Sequence, residues 1–282
     1  MVHSAAPAFI QPVSALFDAL ATPIHPTFFP VACFPLLHAF RISVAYRTLN
    51  TRAGGKTSAA ADLAGFLLMA WGGSIISHIL LNLPIPQLLS FSPFLVYATT
   101  HMSLPGIGSL PSLKTLDSLF PLVDGLLRTA SIAAGVEACR KHASPAIRES
   151  LSIQLFIGAV ASSGGGISAQ TLSVWEPSWR LNRPAFLQEG TLLAGTDVWS
   201  GALVAAIYGC LSASHPHYSS LIGLLYSSSF TNSPILSPTD AKATAASILT
   251  LIYCWRVYHV HYSKSSVVGT KKAGQKSKSK NQ

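Results

Sequence analysis

Apolar residues occur in long blocks that carry few charges, and polar residues, prolines and basic residues collect between the blocks. A helix of about 20 apolar residues is long enough to cross the roughly 30 Å hydrocarbon core of a membrane. The pattern therefore predicts seven membrane-spanning helices, at about residues 25–44, 59–83, 88–102, 119–139, 147–175, 192–211 and 241–262. An odd number of spans places the two ends of the chain on opposite sides of the membrane.

Two of these blocks contain runs of glycine. Each glycine in a helix interior costs about 1 kcal/mol relative to alanine, and paired glycine-interrupted segments in two halves of a membrane protein point to a permeation or binding site. We therefore expect kinks in the second and fifth spans that shape a polar, cation-permeable path. The residues assigned to this path are Gly72, Gly73, Ser74, Ser162, Ser163, Gly164, Gly165 and Gly166. The alternative is close helix packing, for which membrane helices favour small residues.

The first three and the second three spans follow the same order, which indicates an internal repeat. In residues 25–103 and again in 119–213, a helix with prolines at its start precedes a glycine-containing helix and then a shorter one. Because three spans is an odd number, the second copy must be inverted in the membrane. The predicted fold is an all-α integral membrane protein with an inverted 3+3 repeat and an added seventh helix at about residues 241–262.

Composition agrees with a protein that faces lipid. Charged residues make up 10% of the chain, against about 25% in a soluble domain. The four cysteines lie singly in apolar blocks, which favours free thiols over disulfides or metal ligands. The histidines do not form a metal set, and no Gly-x-Ser-x-Gly motif of a serine hydrolase is present. We therefore expect no enzymatic activity, no metal site and no nucleic-acid partner.

The distribution of basic residues predicts the orientation. Loops on the cytosolic side of membrane proteins carry an excess of lysine and arginine. If the C-terminus is cytosolic, that side holds the basic loop around Arg52 and the lysine tail, while the opposite side holds few basic residues. We therefore expect residues 1–24 to form a luminal or outer segment and residues 263–282 a disordered cytosolic tail, which could touch anionic lipid.

Charged residues inside the predicted spans are candidates for function. Asp124 and Arg128 are four residues apart and share one face of the fourth span, and ionisable residues at membrane depth are expensive and usually functional. Either they form an intrahelical ion pair, or Arg128 lines a path as a gate or binds an anionic lipid head group. Arg256 is expected to extend its side chain to the membrane surface, and Asp197 to be a solvated charge at a helix N-terminus.

Several stretches resemble the trimeric intracellular cation channels, in the same order along the chain. His25–Cys33 resembles the opening helix of that family, and the run from Phe66 to Ser74 its glycine-rich second helix. Further matches are Ser92–Tyr97, Leu126–Arg128, Gly164–Gly166, Val174–Pro177, Ala241–Thr244 and Tyr253–Arg256. The resemblance covers about residues 25–262, and the serine- and proline-rich composition with a lysine tail suggests a fungal-type member.

The resemblance implies a homotrimer with one pore in each subunit. It also implies conduction of monovalent cations, mainly K⁺, across the endoplasmic or sarcoplasmic reticulum as counter-ion flux during Ca²⁺ release and uptake. Eukaryotic members bind a phosphoinositide through a Lys-Glu-Val motif followed by an arginine. Arg128 matches that arginine, but Asp124 stands where the lysine would be, and Ser162 where animal members carry a second basic residue. The lipid binding and voltage gating of animal members are therefore not implied.

Three function hypotheses follow from these patterns. The first is a K⁺-permeable channel of the endoplasmic reticulum, in which Arg128, Asp124 and Arg256 are the residues expected to act in gating or in binding an anionic lipid. The second is a secondary transporter, because inverted repeats with broken helices are also typical of that class. The third is a membrane scaffold in which the glycines serve packing alone.

Overall fold

The computed structural model describes residues 7–104, 112–213, 215–218, 220 and 235–263. Most of the tail predicted for residues 263–282 therefore lies outside the described residues. The helices are α1 (Gln11–Ala21), α2 (Cys33–Arg52), α3 (Ala59–Leu80), α4 (Pro86–Leu89), α5 (Ser92–Ser103), α6 (Leu113–Leu119), α7 (Pro121–Arg140), α8 (Pro145–Arg148), α9 (Leu151–Leu172), α10 (Ala185–Glu189), α11 (Thr196–Leu211) and α12 (Pro238–Val257), which continues as a π-helix over Tyr258–Tyr262. A short antiparallel hairpin joins β1 (Pro23–His25) to β2 (Phe29–Ala32).

The first predicted span begins later than the sequence indicated. Residues 23–32 form the hairpin instead of helix, and α2 starts at Cys33 and runs to Arg52. Proline lacks a backbone N–H and is tolerated only in the first turn of a helix, so Pro26 and Pro30 fall in the hairpin and Pro35 in that first turn. Because α2 extends to Arg52, both Arg41 and Arg47 lie within the helix.

Local sequence sets the starts of several other helices. The side chains of Ser58, Ser150 and Ser237 accept hydrogen bonds from the backbone N–H three residues later, and each caps the N-terminus of a long helix. Pro121 and Pro238 occupy the first position of α7 and α12, where their fixed φ suits helix initiation.

Two of the described helices, α3 and α9, are by themselves long and apolar enough to cross a membrane, and α11 is a shorter apolar helix. Length and composition support these helices as spans. The count of seven spans stays a prediction, because α2, α7 and α12 carry more charge and α5 has only 12 residues.

The central contact of the bundle is an antiparallel crossing of α3 and α9. Gly72 and Gly73 are the fourteenth and fifteenth residues of α3, and Gly164 and Gly165 are the fourteenth and fifteenth residues of α9. The same helical positions meet at the crossing, since Gly72 faces Gly165 and Gly73 faces Gly164. An inverted repeat produces this local two-fold arrangement.

Two of the buried apolar clusters pack around this crossing, and the first also includes Ala169 and Val174 from the second half of the chain. Tyr46, Phe66 and Tyr97 pack together among α2, α3 and α5. On the other side, Ile132 and Tyr208 join α7 and α11 in a cluster that also includes residues of α12. The N-terminal helix α1 packs on α12, and the Ser14 hydroxyl donates to Asp240 over 2.7 Å.

Candidate functional site

The glycine runs bring the backbones of α3 and α9 into close contact. A Cβ added at Gly72 would lie 3.0 Å from the Cα of Gly165, and one added at Gly164 would lie 2.8 Å from the Cα of Gly73. The contact at Gly164 is shorter than real Cβ atoms show, and the contact at Gly72 would force its neighbour to move, so both positions favour glycine. At Gly166, by contrast, an added Cβ would meet nothing within 4 Å. Close packing therefore accounts for Gly72, Gly73, Gly164 and Gly165.

The two glycine-containing helices are not interrupted at their glycines. Both α3 and α9 are described along their whole length, and each is one uninterrupted α-helix. Glycine permits helical φ and ψ, and the contact between the two backbones fixes the runs in that conformation. A path through a gap in either helix is therefore not supported, and the expected kinks and path stay predictions.

A cavity of about 380 Å³, here called the main cavity, lies next to the crossing among α2, α3, α7 and α9. Its wall mixes apolar and polar side chains. The described polar residues in the wall are His38, Ser74, Ser77, His78, Gln87, Tyr97, Arg128, Ser131 and Ser162.

The predicted path residues divide between this cavity and its surroundings. Gly73, Ser74, Ser162, Gly165 and Gly166 line the main cavity. Gly72 and Gly164 lie in the helix contact. The hydroxyl of Ser163 donates to the carbonyl oxygen of Ala159 over 2.7 Å, and Ser163 lines a separate cavity of about 30 Å³.

A second cavity of about 140 Å³, here called the charged cavity, lies at the end of the bundle where α7 and α11 begin. Ionisable side chains dominate its described wall. They are Arg41, Asp117, Asp124, Arg128, Asp197, Arg256 and His261. Ionisable residues gathered at one place in an apolar helical bundle point to a functional region.

Arg128 is the one described residue that lines both the main cavity and the charged cavity. Its Nη1 donates to the carbonyl oxygen of Ser162 over 2.6 Å and lies 3.3 Å from Oδ1 of Asp197. The guanidinium carbon also lies 5.4 Å from the ring centre of Tyr253, within the range of a cation–π contact. The side chain is thus held at the junction of the two cavities by partners on α9, α11 and α12.

The predicted pairing of Asp124 with Arg128 is replaced by pairings between helices. Oδ2 of Asp124 accepts a hydrogen bond from Arg41 of α2 over 2.7 Å, and the Arg41 guanidinium also lies 4.8 Å from the ring centre of Phe120. Arg128 turns instead to Asp197. Helical spacing puts Asp124 and Arg128 on one face. Each of them nevertheless pairs with a residue of a neighbouring helix.

The structure gives Asp197 and Arg256 partners that the sequence did not indicate. Arg256 Nη1 donates to Oδ1 of Asp197 over 3.0 Å, so the partly exposed Arg256 side chain is held by an ion pair. Asp197 lies in the first turn of α11, as expected, and its partly exposed carboxylate faces two arginines, Arg128 and Arg256. One carboxylate at the N-terminus of α11 thus pairs with two arginine side chains from different helices.

Sequence reasoning missed Arg41, although a signal for it was present. Phe34-Pro35-Leu36 precedes Arg41 in α2, and Phe120-Pro121-Leu122 precedes Arg128 in α7. The two segments open corresponding helices of the proposed repeat, and each places an arginine about two turns into its helix. The two arginines differ by one position relative to the shared Phe-Pro-Leu motif, so the comparison indicates a similar region and not an exact equivalence.

A second polar cluster lies within the first half of the chain. Ser43 Oγ is 2.6 Å from Nδ1 of His101, and Nε2 of His101 is 2.8 Å from Asp62, with the Phe66 ring stacked on the imidazole at 4.1 Å. The order serine, histidine and aspartate resembles a hydrolase triad. His101 is only 1% exposed and Ser43 is fully buried, so a substrate cannot reach the serine and the cluster serves to join α2, α3 and α5.

The architecture is a helical bundle built around the glycine-lined crossing of α3 and α9. No protein-family model matches the sequence, and no curated protein matches it. Among solved structures, a trimeric intracellular cation channel from C. elegans, determined in the absence of Ca²⁺, has a TM-score of 0.51 to this chain. The match covers 90% of this chain and 98% of that one at 14% identity.

The comparison confirms the fold that the sequence motifs implied. At 14% identity the likeness establishes shared architecture, and the roles of individual residues stay predictions.

Proposed function

We propose that this chain is a cation channel of an intracellular membrane. The pathway would run through the main cavity, past Arg128 and into the charged cavity. The fold shared with a trimeric intracellular cation channel supports this proposal. The observation that carries it is the position of Arg128, which lines both cavities and occupies their junction.

The finer properties are part of the same proposal. K⁺ would be the permeant ion, three copies of the chain would assemble with a pathway in each, and the channel would supply counter-ion flux during Ca²⁺ release and uptake in the endoplasmic reticulum. The N-terminus would be luminal and the C-terminus cytosolic. The motif resemblance and the description of the structural neighbour as trimeric and intracellular support these statements.

The two alternatives are less well supported. A secondary transporter was suggested by broken helices, and α3 and α9 are continuous. A scaffold would need the glycines for packing, as the close crossing requires, but it gives no reason for a polar cavity beside the crossing or for the ionisable residues of the charged cavity.

An anionic lipid, such as a phosphoinositide, is proposed as a ligand of Arg128 and Arg256. Both guanidinium groups already pair with Asp197, so a lipid phosphate would have to compete with that carboxylate. Lipid binding would then release Arg128 from the junction and favour an open pathway.

Recordings of the purified chain in planar bilayers test the proposal. Unitary currents that follow the K⁺ driving force in asymmetric K⁺, Na⁺ and Cl⁻ solutions are expected. Saturable flux coupled to a second solute, without unitary currents, would reject the channel in favour of a transporter. Chemical crosslinking of the same preparation should give a trimer.

A further inference from the structure

Three buried oxygen atoms in the wall of the main cavity have no hydrogen-bond partner among the described residues. They are Oγ of Ser77, Oε1 of Gln87 and Oγ of Ser162. Ser77 is 4% exposed and Ser162 is 9% exposed. The three residues come from α3, from α4 and from α9, so separate elements bring them to one cavity.

Unpaired buried oxygens need a reason. A buried polar atom without a partner costs about 1–3 kcal/mol, and native structures leave few such atoms unexplained. The amide oxygen of Gln87 can only accept hydrogen bonds or coordinate a cation. The hydroxyls of Ser77 and Ser162 can also act as cation ligands through their lone pairs.

Other polar groups in the same wall are satisfied by the protein. The hydroxyl of Ser131 donates to the carbonyl oxygen of Leu127 over 3.2 Å. Nδ1 of His78 donates to the carbonyl oxygen of Ser74 over 2.8 Å. The three unpaired oxygens are therefore distinct from the ordinary polar lining of the cavity.

The charges around the main cavity favour a monovalent ligand. No aspartate or glutamate is among the described residues of its wall, and Arg128 is the one arginine or lysine there. Ca²⁺ sites draw on carboxylate oxygens as ligands, and repulsion from a guanidinium acts twice as strongly on a divalent ion as on a monovalent one. Neutral oxygens suit an ion of single charge that gives up part of its hydration shell.

We propose that the main cavity is a binding site for a partly dehydrated monovalent cation, with Ser77 Oγ, Gln87 Oε1 and Ser162 Oγ as ligands. The inference rests on the proposed channel function and specifies where that channel discriminates between monovalent and divalent ions. Ser162 adjoins Arg128 through its carbonyl group, so Ser77, one helical turn beyond Gly73, and Gln87 are the two ligands chosen for the test.

Cation-dependent thermal stability of the purified full-length chain tests this site independently of conduction. The chain is unfolded in detergent in KCl, in CaCl₂ and in N-methylglucamine chloride, all at equal ionic strength. Potassium should raise the unfolding temperature, and Ca²⁺ should not exceed its effect. Ser77→Ala and Gln87→Met should each raise the K⁺ concentration for half-maximal stabilisation by roughly three- to tenfold, the loss expected for one ligand of hydrogen-bond strength.

Ser131→Ala is the matched control, because its hydroxyl lines the same cavity but is satisfied by Leu127. It should keep the K⁺ response of the wild type. In the absence of K⁺, Ser77→Ala should be at least as stable as the wild type, since it removes an unpaired group. Equal K⁺ responses in wild type, Ser77→Ala and Gln87→Met, or a larger response to Ca²⁺, would overturn the site.

The two proposals fail in different ways. A wild-type chain that is stabilised by K⁺ but carries no current keeps the site and rejects the channel. A wild-type chain that conducts K⁺, but whose K⁺ response is unchanged by both ligand substitutions, keeps the channel and rejects the site.

Discussion

Arg128 of α7 and Asp197 of α11 form an ion pair of 3.3 Å at the junction of the two cavities. The same carboxylate oxygen accepts a hydrogen bond of 3.0 Å from Arg256. Because two arginines share one acceptor, a rearrangement that strengthens the Arg256 pair can weaken the hold on Arg128. In the proposed channel the Arg128 guanidinium would be the barrier to cations, and its position would depend on how Asp197 is shared between the two arginines.

Arg128→Gln should increase the unitary K⁺ conductance. A cation that passes within about 4 Å of the guanidinium meets a repulsion of about 1 kcal/mol in a water-like medium, so removal of the charge should raise conductance by roughly fivefold. Single-channel recording in symmetric KCl measures the change.

Arg256→Gln is the control for that experiment. Arg256 lines the charged cavity but is not among the described residues of the main cavity, so its loss should change the conductance less than the loss of Arg128. An Arg128→Gln channel with wild-type conductance would show that the guanidinium is not the barrier.

Asp197→Asn should lower the selectivity of the channel for cations over anions. It removes the carboxylate that offsets Arg128 and Arg256, which leaves the charged cavity more positive and lowers the permeability of K⁺ relative to Cl⁻. Since the pair is partly exposed, we expect a loss of about 1–3 kcal/mol in stability, below the 3–5 kcal/mol for a fully buried pair. Reversal potentials in a KCl gradient and thermal unfolding measure the two effects. A reversal potential unchanged from the wild type would separate Asp197 from the pathway.

The sequence predicted the helices better than the contacts between them. Apolar blocks marked most of the spanning candidates, because burial in lipid acts on composition along a single helix. The prolines of residues 23–35 were expected to kink one helix, whereas Pro26 and Pro30 lie in a hairpin before it. Spacing within one helix joined Asp124 to Arg128, but Arg41 on another helix provides a closer partner. Such choices depend on tertiary packing, which hydrophobic periodicity does not encode.

The glycine runs also show that the sequence indicates features of single helices better than contacts between helices. Their cost in a helix correctly indicated a special environment at Gly72-Gly73 and Gly164-Gly165, and the pairing of the two runs indicated contact between the halves. Neither helix is interrupted at its glycines, and the close approach of the two helices accounts for these residues, while the expected kinks stay a prediction. Sequence alone cannot distinguish a helix that opens from one that another backbone touches.

The Arg41–Asp124 pair is expected to couple α2 to α7. Asp124→Asn and Arg41→Gln should each lower the free energy of unfolding by about 1–3 kcal/mol, because each leaves a partly buried charge without its partner. The double variant should lose less than the sum of the two, with a coupling energy of about 0.5–3 kcal/mol. Chemical denaturation of the four proteins completes the cycle. Strictly additive losses would show that the 2.7 Å contact contributes no net stability.

Gly165 and Gly166 are adjacent in α9 but are expected to respond oppositely to alanine. A Cβ at Gly165 would clash with the backbone carbonyl of Met69, whereas a Cβ at Gly166 would enter open space. Gly165→Ala should therefore destabilise the bundle by about 1–3 kcal/mol, and Gly166→Ala should stabilise it by about 0.5–1 kcal/mol through the higher helix propensity of alanine. Thermal unfolding in detergent measures both. Because Gly166 lines the main cavity, Gly166→Ala should in addition reduce K⁺ conductance while the chain remains folded. A stabilised Gly166→Ala protein with undiminished conductance would move the ion pathway away from this face of α9.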